Sequence, residues 1–281
     1  MKIFKEIGAV KSYLSQIKSR GTTVGLVATM GALHKGHMSL IEASKAVNGI
    51  TITSIYVNPT QFNNPLDLQK YPRTIDEDLR MLERAECDAV FCPSDAEMYE
   101  EKPLLKFDFG HLDKVMEGSF RPGHFSGVAL VVAKLFGIVQ PDRAYFGQKD
   151  WQQVTIIKRM VAEMKFNLEV LTVPIVRDAN GLAMSSRNLR LTSIQATEAT
   201  VLYESMKMAR TRLKSGDAID SVKRAVQALF DKHAEMKLEY FEVTDSKNLT
   251  PVERVNNNTE LIICIAGYAG DVRLIDNMFL D

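Results

Sequence analysis

Strand-like and helix-like segments alternate through residues 1–175 of this 281-residue chain, and this alternation restricts the possible folds more than any other feature. Runs rich in β-branched and aliphatic residues predict strands at 23–28, 50–57, 88–92, 144–146 and 168–173. Apolar residues at helical spacing predict helices at 37–47, 75–84, 126–139 and 151–164. Strands separated by helices pair in parallel through right-handed crossovers. We therefore predict an α/β fold, a Rossmann-like parallel sheet with helices on both faces.

A different pattern begins after Pro174. Two amphipathic helices are predicted at 192–213 and 217–233, and strand-like runs follow at 238–243, 260–266 and 272–275. Helices followed by strands are typical of a smaller C-terminal α+β domain. The predicted domains are 1–175 and 176–281.

The charge balance excludes several classes of partner. Lys plus Arg and Asp plus Glu both number 35, so the net charge of +0 predicts neither a nucleic acid nor a membrane partner. No apolar run approaches the roughly 18 residues of a membrane span, and the charged N-terminus does not resemble a signal peptide. The three cysteines stand in apolar runs, which favours reduced thiols and a cytoplasmic protein.

The loop directly after the first predicted strand carries the most informative motif. It reads Thr29-Met30-Gly31-Ala32-Leu33-His34-Lys35-Gly36-His37. Ligands bind at the carboxyl ends of parallel strands, and a helix N-terminus favours phosphate. Gly31 and Gly36 would let a phosphate approach the backbone, and His34 and His37 could donate hydrogen bonds to one phosphate group. The alternative, a metal-binding histidine pair, lacks a carboxylate or cysteine at suitable spacing, so we predict no protein metal site.

A second motif, Met184-Ser185-Ser186-Arg187, could bind phosphate from the other side. Its hydroxyl groups and guanidinium are donors that suit a triphosphate. Together with His-x-Gly-His, this motif resembles the nucleotidyltransferase superfamily, which includes the class I aminoacyl-tRNA synthetases. In that superfamily the two elements close on ATP from opposite sides.

Within that superfamily, seven ordered blocks are similar to the pantothenate synthetase (pantoate–β-alanine ligase) family. The blocks are 29–37, 56–62, 71–74, 121–125, 141–143, 146–153 and 181–188. The resemblance implies ATP-dependent condensation of (R)-pantoate with β-alanine through a pantoyl-adenylate, with release of AMP and pyrophosphate. It also implies a homodimer, with ATP and pantoate bound by 1–175. Because the mixed anhydride hydrolyses readily in water, we expect a closed site with 176–281 as its lid.

The resemblance also implies roles for individual residues. The ATP-binding residues would be Met30, Gly31, Ala32, Leu33, His34, Lys35, Gly36, His37, Gly147, Gln148, Lys149, Asp150, Val176, Met184, Ser185, Ser186 and Arg187. The catalytic residues among them would be His34, His37, Lys149 and Arg187. Gln61 and Gln153 would bind pantoate, and Gln61 would also bind β-alanine. Mg²⁺ would be held mainly by the ATP phosphates.

Several interpretations stay open at this point. From the residues alone, Gln61 and Gln153 could lie on a solvated loop and helix face, and Lys149-Asp150 could form an ion pair at a helix start. Arg121 and His124 lie in a turn that could cover the site or simply lead into a helix. A dinucleotide-forming nucleotidyltransferase, a small tRNA-synthetase-like protein and a non-catalytic nucleotide-binding module are the rival functions. The chain also departs from the family at Ala28, usually Pro, and at Gln148, commonly Glu.

Overall fold

The computed structural model describes residues 1–255 and 258–280, and a six-stranded parallel sheet forms the centre of its larger part. The strands are β1 Lys2–Phe4, β2 Val24–Thr29, β3 Ile50–Ile55, β4 Ala89–Phe91, β5 Arg143–Gly147 and β6 Glu169–Val173. They pair in the order β1-β4-β3-β2-β5-β6, and each pairing is parallel. The predicted Rossmann-like α/β class is confirmed, whereas the short edge strand β1 was not predicted.

The helices of this part are α1 Ile7–Lys18, α2 Lys35–Lys45, α3 Pro65–Lys70, α4 Ile75–Arg84, α5 Asp95–Met98, α6 Glu117–Phe120, α7 His124–Val139 and α8 Trp151–Met164. Among them, α1, α2, α4, α7 and α8 pack against the two faces of the sheet. Neighbouring residues of a strand point to opposite faces. Accordingly, Leu26 of β2 packs with α1, α7 and α8, whereas Val27 packs with α2 and α4. Burial of β2 on both sides explains why its residues 24–28 are all apolar instead of alternating with polar ones.

The smaller part of the chain is a three-stranded antiparallel sheet with helices packed against it. Its elements are α9 Ser193–Glu198, α10 Val201–Lys214, α11 Ile219–Phe230, β7 Met236–Asp245, β8 Leu261–Ala269 and β9 Val272–Phe279. The strands pair in the order β7-β8-β9. The single helix predicted at 192–213 is in fact two helices, α9 and α10. Strand β9 runs beyond the predicted 275 because Asp276 and Asn277, although polar, are buried and hydrogen-bonded.

The two largest hydrophobic clusters fall on either side of residue 175. One extends from Val10 to Met160 and the other from Leu182 to Leu280. The two parts also contact each other, since Trp151 of α8 packs against Phe279 of β9 and its indole N–H donates to the Ser246 carbonyl at 2.9 Å. The division at 175/176 agrees with this distribution of cores and stays a prediction.

Two further findings concern the chain as a whole. Cys87, Cys92 and Cys264 are free thiols, and Cys87 and Cys264 are buried. Among the helices of residues 1–255 and 258–280, none is both long and apolar enough to cross a membrane.

Candidate active site

Two adjoining cavities open at the carboxyl ends of β2 and β5, where the strand order of the sheet reverses. This reversal is the usual ligand position in an open parallel sheet. The first, the histidine cavity, has a volume of about 210 Å³ and is lined by Met30, His34, His37, Gln61 and Met184 among others. The second, the β9 cavity, has a volume of about 380 Å³ and is lined by residues 273–277 of β9 and by Arg190. Among the described residues, seven line both cavities: Arg121, His124, Lys149, Asp150, Gln153, Ser185 and Arg187.

His34 and His37 cap the N-terminus of α2. The Nδ1 atom of His34 accepts a hydrogen bond from the Gly36 amide at 3.1 Å, and the Nδ1 atom of His37 accepts from the His34 amide at 3.3 Å. A backbone N–H only donates, so both Nδ1 atoms are unprotonated and each neutral ring carries its proton on Nε2. A side chain on Gly36 would crowd this cap, because a Cβ there would lie 2.9 Å from Cε1 of His34. The cap leaves two Nε2–H donors for a ligand.

Both histidines are held neutral. Burial, followed by the Lys149 ammonium, lowers the pKa of His34 to about 4. Burial, followed by His34 and Lys149, lowers the pKa of His37 well below its ordinary value. At neutral pH these rings can therefore donate hydrogen bonds but do not carry a transferable positive charge.

The backbone between Gly31 and Leu33 is occupied by a carboxylate of the protein itself. The amides of Ala32 and Leu33 donate to the two oxygens of Asp78 at 2.9 and 2.7 Å. Gly31 has φ of 79°, and a Cβ there would lie 2.9 Å from Asp78 Oδ2. In this structure the amides of Ala32 and Leu33 are thus engaged by Asp78, and the assignment of these two residues to ATP stays a prediction. Asp78 was missed, although its position four residues before the buried Leu82 places it on the inward face of α4.

Some predicted site residues do not reach either cavity with their side chains. Lys35 is exposed, and Leu33 packs in the core between α2 and α4. Gln148 donates from Nε2 to Oδ1 of Asn277 at 3.2 Å and so faces β9. The substitution of Gln for Glu at position 148 thus lies at the contact with β9.

Hydrogen bonds from the smaller part of the chain hold the turn that follows β5. Asn277 of β9 donates from Nδ2 to the carbonyl oxygens of Gln148 and Lys149, both at 2.8 Å. Within the described ranges the Lys149 ammonium has no ion-pair partner, and it lines both cavities next to Asp150. Asn277 was missed by the sequence analysis because nothing in the sequence relates it to a turn so distant in the chain.

The serine motif lies across the histidine cavity from α2. The Met184 amide donates to the Val176 carbonyl at 2.9 Å, and both residues line the histidine cavity. The Ser186 hydroxyl donates to the Ala32 carbonyl at 2.9 Å, which ties the two motifs together. Arg187 donates from Nη2 to Oδ2 of Asp67 in α3 at 2.9 Å. Asp67 also contacts Arg190, so this carboxylate lies between two arginines.

Gln61 and Gln153 occupy different settings. Gln61 is buried; its Oε1 accepts from Asn58 at 3.1 Å and its Nε2 donates to the Met30 sulfur at 3.1 Å. This excludes the alternative of a solvated loop residue. Gln153 lines both cavities, and its amide has no hydrogen-bond partner in the part of the chain that the structure describes. Its neighbour Gln152 is structural, because its Nε2 donates to the carbonyls of Leu112 and Val115.

The arrangement supplies neutral and charged donors around a space next to Gln61 and Gln153. In the described residues, no group of three or more His, Cys, Asp or Glu side chains is arranged to hold a metal ion. The donors at the histidine cavity are suited to an anionic ligand such as a polyphosphate.

Comparisons with known proteins point in one direction. A family model described as Pantoate-beta-alanine ligase matches residues 2–279. The pantothenate synthetase of Bacteroides thetaiotaomicron is 45% identical over 278 residues, which cover 99% of this chain and 98% of that protein. The pantothenate synthetase of Cytophaga hutchinsonii is 42% identical over 275 residues, covering 98% and 97% of the two chains.

Solved structures give the same result. The crystal structure of pantothenate synthetase from Thermus thermophilus superposes with a TM-score of 0.93 at 36% identity, covering 100% of this chain and 99% of that one. A pantoate-beta-alanine ligase from Francisella tularensis, complexed with beta-gamma ATP and beta-alanine, gives a TM-score of 0.82 at 35% identity and covers 100% and 98%.

Proposed function

This chain belongs to the pantoate–β-alanine ligase family, and on that premise we propose that it condenses (R)-pantoate with β-alanine at the expense of ATP. The product is pantothenate, a precursor in coenzyme A biosynthesis, and AMP and pyrophosphate are released. The observation that supports this most directly is the convergence of His34, His37, Lys149 and Arg187 around the histidine cavity, next to Gln61 and Gln153.

In the first half-reaction the pantoate carboxylate attacks the α-phosphorus of ATP in line, and pyrophosphate leaves. Catalysis of such a transfer consists mostly of positioning and charge stabilisation. The Nε2–H groups of His34 and His37 and the ammonium of Lys149 are the donors for the phosphate oxygens. Ser185 and Arg187 approach from the opposite side. Ser186 acts differently from our expectation for the motif, because its hydroxyl proton is donated to Ala32.

Arg187 lines both cavities while its Nη2 donates to Asp67. In the free protein it is paired with Asp67, and the arginines around Asp67, opposing the effect of its burial, lower the pKa of that carboxyl. The other N–H groups of the guanidinium are donors for the triphosphate, so one side chain can contact Asp67 and the phosphates together.

Mg²⁺ accompanies ATP in this proposal. The phosphates would hold the ion, and Asp150, which lines both cavities beside Lys149, would supply oxygen atoms of the kind that Mg²⁺ prefers. When bound, the ion offsets negative charge on the leaving pyrophosphate.

In the second half-reaction the amine of β-alanine attacks the acyl carbon, and AMP leaves with the electron pair of the broken C–O bond. Gln61 and Gln153 suit the positioning of pantoate, because neutral amides bind hydroxyl and carboxylate oxygens without neutralising the nucleophile. The amine must arrive unprotonated, so turnover should rise as the pH becomes mildly alkaline.

The larger-scale predictions are proposals as well. An acyl-adenylate hydrolyses in water, which favours a closed site, and residues 176–281 contribute β9 to the wall of the β9 cavity and so suit a lid. We also propose a homodimer in the cytoplasm, and light scattering of the purified protein tests the dimer directly.

The test of function is release of AMP and pyrophosphate from ATP with (R)-pantoate, with and without β-alanine, beside a panel of other acids and amines. Pantothenate and AMP formed together only from this pair would support the proposal. ATP binding without turnover on any acid would instead favour a nucleotide-binding module, and a dinucleotide product would favour a different nucleotidyltransferase.

A further inference from the structure

We propose that Arg121 binds the carboxylate of β-alanine and thereby makes the enzyme select an amine that carries an acid group. This inference rests on the proposed function and extends it, because only Gln61 has so far been assigned to β-alanine. A neutral amide does not balance the negative charge of that substrate.

Arg121 lies where the two cavities meet. It follows α6, precedes α7, and lines both the histidine cavity and the β9 cavity. The other arginines of the β9 cavity are paired with carboxylates: Arg187 with Asp67, Arg190 with Asp67 and Asp271, and Arg273 with Glu117 and Glu239. Among the described residues, Arg121 has no carboxylate within ion-pair distance, so its guanidinium is available to an anion.

A histidine holds Arg121 in position without neutralising it. His124 is buried, and its Nδ1–H donates to the Gln61 carbonyl oxygen at 2.8 Å. A carbonyl only accepts, so Nε2 of His124 is unprotonated and accepts from Nη1 of Arg121 at 3.2 Å. Burial and the neighbouring Arg121 lower the pKa of His124 to about 3, so the ring stays neutral. This contact uses one guanidinium N–H, and within the described ranges the Arg121 side chain makes no other hydrogen bond.

The setting of Arg121 favours a bound anion. Burial, with Arg187 nearby, lowers the pKa of its guanidinium to about 10, so it is still charged at neutral pH. A partly desolvated cation without a counterion costs free energy, and an arriving carboxylate recovers it through charge-assisted hydrogen bonds.

Three anions take part in the reaction, and two of them fit Arg121 poorly. The pantoate carboxylate is the nucleophile of the first step, and a forked contact with a guanidinium would withdraw its charge. The triphosphate belongs on the side of His34, His37 and Lys149, where the neutral Nε2–H donors and the ammonium converge. The carboxylate of β-alanine remains.

The position of Arg121 also fits the geometry of the second step. The acyl carbon of the adenylate lies near Gln61 and Gln153, and the amine has to reach it. Because methylene groups separate the amine of β-alanine from its carboxylate, the acid end points away from the acyl carbon and towards the β9 cavity. The hydrogen-bonded chain Gln61–His124–Arg121 fixes the distance between the two β-alanine contacts.

The test compares Arg121→Gln with the unchanged enzyme on two amines, β-alanine and its carboxamide β-alaninamide. Loss of a charge-assisted contact should lower kcat/KM for β-alanine by about 10- to 100-fold, mainly through KM. The value for β-alaninamide should stay within about threefold, so the preference for the acid should largely disappear. Pantoate-dependent ATP–pyrophosphate exchange, which reports the first half-reaction alone, should be retained.

Two further variants complete the design. Arg190→Gln removes a cation from the same cavity, but one that is already paired, and should keep the preference for β-alanine. Arg121→Lys keeps the positive charge but cannot make the two-pronged contact of a guanidinium. It should give an intermediate preference for β-alanine over β-alaninamide, with an unchanged melting temperature.

Other results would overturn the assignment. Equal loss on both amines would make Arg121 structural, and loss of the exchange reaction would place it on pantoate or the phosphates. Either result stands apart from failure of the proposed function, in which the unchanged enzyme itself would form no pantothenate.

Discussion

Hydrogen bonds from the backbone determine which nitrogen of each histidine near the site carries the proton. His34 and His37 accept at Nδ1 and present Nε2–H, whereas His124 donates from Nδ1 and accepts at Nε2. The sequence predicted that His34 and His37 would face a ligand, but it could not predict these tautomers. They depend on which backbone group lies beside each ring, and that is decided by folding.

Because the histidines are neutral, the positive charge at the site comes from lysine and arginine. We expect Lys149→Ala and His37→Ala each to slow pantoate-dependent ATP–pyrophosphate exchange by about 10²- to 10³-fold, since each removes a donor aimed at the phosphates. Lys11→Ala, at an exposed position of α1, is the matched control and should not change the rate. Near-normal exchange in either site variant would contradict the assignment.

His124 should make the protein sensitive to acid. Its pKa is about 3 in the folded protein and about 6.5 when unfolded, so between those values only the unfolded chain takes up the proton. Stability due to this residue is therefore present above pH 6.5 and is lost as the pH falls towards 3. Between pH 7 and pH 5 the free energy of unfolding should fall in both proteins. The fall should be about 2 kcal/mol larger in the unsubstituted protein than in His124→Gln. Urea titrations at the two pH values measure this, and equal losses in both proteins would disprove it.

At the scale of elements, α7 packs unusually close to the 3-10 turn Pro59–Gln61, which carries Gln61. A Cβ built on Gly127 would lie 2.3 Å from the Thr60 carbonyl oxygen, whereas one on Gly137 in the same helix would meet nothing within 4 Å. The absence of a side chain at 127 thus sets the distance between α7 and the turn, and with it the position of Gln61.

Alanine at these two glycines should have opposite effects. Gly127→Ala should destabilise the protein by about 1–3 kcal/mol, because helix and turn must move apart, and should raise KM for pantoate. Position 137 is exposed, so Gly137→Ala should stabilise the protein by about 0.5–1 kcal/mol, because alanine has a better helix propensity than glycine. Thermal unfolding with steady-state kinetics on both variants measures the contrast, and similar shifts in the two would refute the packing argument.

The elements that the sequence predicted best are those with strong periodicity. The bounds of α4 and α8 agree with the prediction at both ends, because an amphipathic pattern runs through each of them without interruption. Strand β1 and helix α3 are too short to produce a pattern, and β1 is a strand only because β4 pairs with it. Local sequence therefore specified the long elements, and tertiary contacts specified the short ones.

At the scale of the whole molecule, the site is assembled from both parts of the chain. The two motifs were found from the sequence because each is a contiguous string with its own chemistry, whereas the turn at Lys149 was assigned through the family resemblance. Asp78, Asp67 and Asn277 were not found, because each acts on a segment far away in sequence. A single sequence contains no signal for such a pairing. The residues that position the site could therefore not be predicted, whereas the donors within the motifs could.

Asn277 gives the smaller part of the chain a role beyond that of a cover. We expect Asn277→Ala to leave the carbonyls of Gln148 and Lys149 without donors, costing about 1–3 kcal/mol of stability. It should also reduce the exchange rate by about tenfold, because Lys149 is less well positioned. Asn248→Ala, at an exposed position of the same part, is the control for melting and exchange. Unchanged exchange in Asn277→Ala would limit β9 to a structural role.

The contact between Asn277 and the Lys149 turn has a consequence for the order of events on the ribosome. The turn is synthesised 128 residues before the asparagine that binds its backbone. A nascent chain can thus complete the parallel sheet while Lys149 is still loosely held. A polypeptide released early by premature termination would then carry the nucleotide motifs but would adenylate pantoate poorly. It would therefore consume little ATP in forming an acyl-adenylate that it could not protect from water. We therefore expect full adenylation activity only after β9 has been synthesised.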